Sequence, residues 1–129
     1  MTFRAFTFAS TACALSVLAL AASTAHAQAQ PILGLITKTD SNPFFVKMKE
    51  GADAEAKKLG AKLLTAAGKT DGDNAGQVTA MENMIAAGAK TILITPSDAK
   101  AIIPAIKKAQ QQGVMVIALD SPTDPASAV

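Results

Sequence analysis

The stretch that decides the fold runs from residue 32 to residue 60, ILGLITKTDSNPFFVKMKEGADAEAKKLG. Ile32 to Thr37 is a near-continuous apolar run, the pattern of a short strand buried on both faces. Asn42 follows as a helix N-cap, with Pro43 at the first helical position, where its missing N–H has no partner to lose. Apolar residues then recur at positions 45, 48, 52, 56 and 59, which is helical spacing, and Gly60 supplies a left-handed C-cap. Strand, polar turn and amphipathic helix make the first half of a strand–helix–strand unit.

The same grammar repeats downstream. Lys62 to Ala67 is the second strand, and residues 68–73 (GKTDGD) form a loop. Asn74 opens a second helix, with Gln77 placed three residues on as in a capping box, and Val78, Met81, Met84 and Ile85 as its buried stripe up to Gly88. Thr91 to Thr95 is the third strand. Pro96-Ser97-Asp98 is a turn with Ser97 as N-cap, and a third helix spans about Ala99 to Gln112. Pro104 lies inside that helix and has no N–H to give residue 100, so it kinks or delays it. Val114 to Leu119 is the fourth strand. Four apolar strands alternating with helices predict an α/β fold, a doubly wound parallel sheet with right-handed crossovers. The segments 38–42, 68–74, 95–98 and 120–122 then all follow carboxyl ends of strands. They crowd one edge of the sheet, where open α/β folds bind ligands.

The N-terminus reads as an export signal spanning residues 1–27: Arg4 in a short positive segment, an apolar stretch from Ala12 to Ala22, and an Ala25-His26-Ala27 cleavage site. The apolar stretch falls short of the ~20 residues a membrane span needs. Cys13 precedes most of it, which argues against a lipoprotein. Removing 27 of 129 residues leaves 102, numbered 28–129 and sufficient for one domain. The single Cys and the single His leave with the signal, so the remainder suits an oxidising periplasm and lacks the usual nucleophiles and zinc ligands. No cofactor, metal or enzymatic activity is expected. Subtracting Arg4 from the 12 basic residues leaves 11 lysines against 10 acids, a balance unlike the basic face of a nucleic-acid binder. Strand one is followed by neither G-x-G-x-x-G nor a Walker loop, which removes the nucleotide-binding reading.

Beyond the signal the chain keeps two aromatic residues, the neighbours Phe44 and Phe45, with no Trp or Tyr. Phe45 falls on the buried stripe, and Phe44 sits one position off it, toward the ligand edge. Flat apolar faces beside a polar Asn and nearby acids suit a sugar. Burying each ring contributes roughly 1.5–3 kcal/mol. Asn42 can cap the helix with its oxygen and serve a hydroxyl with its nitrogen. Asp120, at the end of strand four, can accept hydroxyl protons, and Lys38 can donate to a ring oxygen or hydroxyl. Asp71 and Asp73 form a lone D-x-D without the rest of a calcium loop, the pattern of a solvated turn.

The runs LITKTDSNPFFVKMKEGA, AGKTDGDN, AGAKTILITPSDAKAIIPAI and VMVIALDSPTDP resemble the type I periplasmic sugar-binding proteins, the extracytoplasmic receptors of ABC sugar importers. The likeness is greatest to fructose-binding receptors, with ribose-binding proteins in the same family. The resemblance implies two α/β lobes closing on one monosaccharide, a monomeric periplasmic receptor, and an inner-membrane ABC permease as partner. It also implies that Asn42, Phe44, Phe45 and Asp120 line the sugar pocket. Ribose-type members follow that Asp with Arg, whereas this chain has Ser121, which favours a fructose-like ligand with Lys38 as the substitute donor. Family members are commonly about 300 residues, so 28–129 is expected to be an incomplete N-terminal sugar-binding lobe lacking the second lobe. Three other readings compete. A repressor's sugar-sensing domain needs a helix–turn–helix where the export signal stands. A small exported enzyme needs a base and a nucleophile. A truncated remnant has no function.

Overall fold

A computed structural model describes residues 29–129; the export-signal reading, with Cys13 and His26, lies outside the described residues. Four parallel strands form one sheet: β1 (Ile32–Thr37), β2 (Lys62–Ala67), β3 (Thr91–Ile94) and β4 (Met115–Ala118). Their order is β2-β1-β3-β4. β1 pairs on one side with β2, Leu33 opposite Leu63, and on the other with β3, Leu35 opposite Leu93. The helices are α1 (Pro43–Lys58), α2 (Asn74–Ala86) and α3 (Ile103–Gln111), with a last single turn at Ala126–Ala128. α1 lies over β1 and β2, while α2 and α3 cover the other face. This is the expected doubly wound sheet.

Side-chain alternation along each strand divides the core in two. Ile36, Ile92, Ile94 and Val116 pack beneath Met81 and Met84 of α2 and Ala105, Ile106 and Ala109 of α3. Gly34 leaves room for α2, since a Cβ there would meet the Met84 sulfur at 2.5 Å. On the opposite face Phe45 and Ala56 of α1 are buried, as is Leu35 of β1. α1 does not extend over β3 and β4, and there Met115 is 60% exposed and Ile117 40%.

Helix ends show where local signals held. Asn42 caps α1 by accepting the Phe44 N–H at 2.9 Å, with Pro43 first in the helix, as expected. Gly60 follows in the left-handed region (φ 67°). Leu59, expected on the buried stripe, is instead 69% exposed, because the helix ends at Lys58 and the capping residue is no longer held against the sheet.

α2 opens at Asn74, but Asp73 is its N-cap, accepting from the Gly76 N–H at 2.9 Å. The capping box expected of Asn74 and Gln77 does not form, since the Gln77 side chain points inward and is fully buried. α3 begins only at Ile103 with Pro104 in its first turn, so Pro104 delays the helix. The turn before it is capped by Asp98, whose Oδ1 accepts the N–H groups of Lys100 and Ala101. Ser97, the expected cap, instead has a buried hydroxyl with no hydrogen-bond partner among the described residues.

Candidate functional site at the carboxyl edge of the sheet

β1 has neighbours on both sides, so the chain leaves it for α1 on one face while β3 follows from α2 on the other. That change of direction between β1 and β3 puts the switch point of the sheet at their carboxyl ends, the place where open α/β sheets hold ligands. The turns after β1, β3 and β4 border it and carry the sequence-predicted residues.

Lys38, the residue after β1, is partly buried, and its ammonium donates to the Ser121 hydroxyl at 3.2 Å. The Ser121 hydroxyl in turn donates to Asp120 Oδ2 at 3.3 Å. Strands lie about 4.8 Å apart, so Lys38 spans the end of β3 to reach the turn after β4. Asp120 has φ 62° and is the one non-glycine residue in the left-handed region among the described residues. Asp tolerates that region better than most side chains, and such conformations gather at binding sites. The Lys38–Ser121–Asp120 chain places one cation and one carboxylate together, so a neutral polyhydroxyl ligand suits it better than an anion.

Asn42 sits at the head of α1 with its side-chain oxygen committed to the cap. Its amide nitrogen has no protein acceptor among the described residues. Phe44 is 53% exposed, while Phe45 is 5% exposed and belongs to the buried face of α1. Their rings meet edge to face at 5.2 Å, so the buried ring braces the exposed one. A cavity of about 160 Å³ lies beside Phe45 on the β2 side, lined by Thr37, Thr39, Lys49 and Thr65 to Ala67, and it includes none of Lys38, Asn42, Phe44, Asp120 and Ser121.

Lys38, Asp120 and Ser121 are thus joined by hydrogen bonds, and Asn42 and Phe44 stand on the adjoining helix start. Asp73 and Asp98 serve the backbone instead. The N–H groups of Lys69 and Gly76 hold the Asp73 carboxyl below its ordinary pKa, and those of Ala101 and Lys100 do the same for Asp98. No group of three potential metal-binding His, Cys, Asp or Glu side chains occurs among the described residues, and Asp73 is occupied as a cap.

Gln77 was not singled out from the sequence as a residue of this edge. Its Nε2 donates to the carbonyl oxygens of Thr37 (3.1 Å) and Thr95 (2.8 Å), and its Oε1 accepts the Ser97 N–H at 2.8 Å. The clue available was position. Gln77 lies four and seven residues before Met81 and Met84, so it shares their buried face.

Comparison with known proteins agrees with this architecture. Residues 33–129 match the profile of the periplasmic binding protein domain. The D-ribose/D-allose-binding protein of Pseudomonas aeruginosa is 35% identical over 117 residues, covering 89% of this chain and 36% of that protein. The ribose import binding protein RbsB of Escherichia coli is 36% identical over 107 residues, covering 82% of this chain and 36% of that protein. Among solved structures, a periplasmic solute-binding protein of an ABC transporter from Actinobacillus succinogenes with bound D-allose superposes with a TM-score of 0.71. It is 35% identical, over 76% of this chain and 35% of its own. The chain spans about a third of the length of these relatives. On the matched profile, the shared sheet and the extent of identity, the chain belongs to the periplasmic binding protein family.

Proposed function

We propose that the chain forms one wall of an extracytoplasmic sugar-binding site, as part of the substrate-binding component of an ABC sugar importer, and that it has no enzymatic activity. The ligand is a neutral monosaccharide held at the carboxyl edge of the sheet. Phe44 offers an apolar ring face with Phe45 bracing it, the Asn42 amide and the Lys38 ammonium donate, and Asp120 accepts from hydroxyls. The observation that carries the reading is the Lys38–Ser121–Asp120 chain, which joins the ends of β1 and β4 at the carboxyl edge.

Fructose is the first candidate sugar. Ser121 stands where ribose-type members carry Arg, and here it holds Lys38, a point donor in place of a forked one. The ribose and allose specificities of the relatives make those sugars the comparison. The proposed partner is an inner-membrane permease, the proposed location the periplasm and the proposed state a monomer.

A thermal-shift series tests this. A ligand that binds only the folded state stabilises it by RT ln(1 + [L]/Kd). Fructose is expected to raise the Tm in a concentration-dependent way, more than ribose or allose. A Tm unmoved by all three sugars would overturn the reading.

A further inference from the structure

Gln77 is a fully buried polar side chain of α2, and all three of its hydrogen bonds end at the carboxyl exits of β1 and β3. Thr37 O is the carbonyl immediately before Lys38, and Thr95 O is the one before Pro96-Ser97. The Thr95 N–H is taken by Ile36 O and Pro96 has no N–H, so Ser97 supplies the next donor, and Gln77 Oε1 takes it. The amide orientation is fixed by this set, because two acceptors and one donor surround it and the flipped amide would oppose oxygen to oxygen. Thr37 O also accepts the Gly68 N–H at 3.3 Å, so both of its lone pairs are engaged.

We propose that Gln77 is the positioning residue of the ligand edge. One amide holds the exits of β1 and β3 in a single register, and that register places the Lys38 ammonium against Ser121, next to Asp120. Gln77 itself touches no ligand. Its buried neighbours on α2, Ala80, Met81 and Met84, are apolar, so a Gln there reflects the three backbone groups it satisfies. Without it, two carbonyls and one N–H at the exits of the central strands lose a partner.

Two variants of the full chain separate positioning from packing. Gln77→Met keeps the volume and removes all three bonds. Gln77→Glu keeps the shape, but an ionised carboxylate cannot donate to Thr37 O or Thr95 O. Its protonated form restores one donor and still accepts from Ser97. Ionisation is disfavoured beside two carbonyls, so the folded-state pKa lies above the unfolded value. The stability of Gln77→Glu is then retained below the unfolded pKa and lost as pH rises through the folded one. No His or Cys occurs in residues 29–129, which leaves a quiet background near neutral pH.

The first readout needs no sugar: backbone amide NMR signals at a temperature where each variant stays folded. The expected result is that the signals of Lys38, Thr39 and Ser97 shift and exchange faster in Gln77→Met, while those of Leu63 and Ala56 keep their positions. In Gln77→Glu they move back toward the wild type as pH falls. The second readout rests on the sugar-binding reading above: Kd for the bound sugar is expected to weaken at least tenfold in Gln77→Met at that same temperature. A lowered Tm with unmoved Lys38 and Ser97 signals would overturn the proposal, as would a Kd within twofold of wild type. If the wild-type chain binds no sugar, the sugar reading fails and the amide signals alone decide the role of Gln77.

Discussion

Lys38 and Ser121 are 83 residues apart in sequence, and the Lys38 ammonium donates to the Ser121 hydroxyl at 3.2 Å. The contact ties the exit of an inner strand to the exit of an edge strand and leaves Asp120 one residue away. Removing the donor without changing bulk isolates its contribution. Lys38→Met is expected to weaken sugar binding by about tenfold, equivalent to roughly 1.4 kcal/mol, with little change in Tm. Calorimetric titration and a melting curve on the same sample check both halves.

Asp120→Asn tests the carboxylate. Asn also tolerates a positive φ, so the backbone at φ 62° is retained while the charge and one acceptor oxygen are lost. Charge-assisted hydrogen bonds contribute roughly 1.5–3 kcal/mol each, so affinity is expected to fall by one to two orders of magnitude while the fold stays intact by circular dichroism.

The two phenylalanines are expected to separate cleanly. Phe44 is 53% exposed, and Phe44→Ala is expected to change stability by no more than about 0.5 kcal/mol while weakening sugar binding. Phe45 is 5% exposed on the buried face of α1, and Phe45→Ala is expected to cost about 3–5 kcal/mol of stability. Urea denaturation of the two variants measures the contrast.

Stability is expected to fall on acidification through Asp73 and Asp98. Backbone N–H bonds lower both carboxyl pKa values in the folded state. A depressed folded-state pKa gives stability that is present above the unfolded pKa, near the ordinary value of 3.8, and lost as pH falls through the folded one. Asp73→Asn and Asp98→Asn can still cap as neutral groups. They are expected to flatten the pH dependence of Tm below about pH 4; an unchanged slope would contradict the capping account.

The uncovered half of the sheet predicts a solubility effect. β4 is an edge strand whose outward face carries Met115 and Ile117. A flat apolar edge invites pairing between chains, and a lysine there opposes it. Ile117→Lys is expected to lower light scattering at high protein concentration without lowering Tm.

Much of the fold was legible because its signals are local. The Asn42-Pro43 start of α1, Gly60 after it, the four apolar strands and the delay imposed by Pro104 each depend on a few adjacent residues. The losses share another cause. Leu59 kept the helical spacing but fell at the cap. Gln77 matched the spacing of a capping box, yet its amide turned inward because the exits of β1 and β3 offered two carbonyls and an N–H. The site was legible as a set of strand exits. The Lys38–Ser121 contact was not, since nothing local in either segment shows that the lysine reaches over β3.

The central claim is that a neutral monosaccharide binds at the carboxyl edge of this sheet. Titrating fructose into the isotope-labelled chain while following backbone amide signals tests it most directly. The account predicts saturable shifts at Lys38, Asn42, Phe44 and Asp120, lost in Asp120→Asn, with the signals of Leu59 and Gly88 at the opposite edge unmoved. Signals that stay fixed at those four residues with fructose, ribose and allose alike would contradict it.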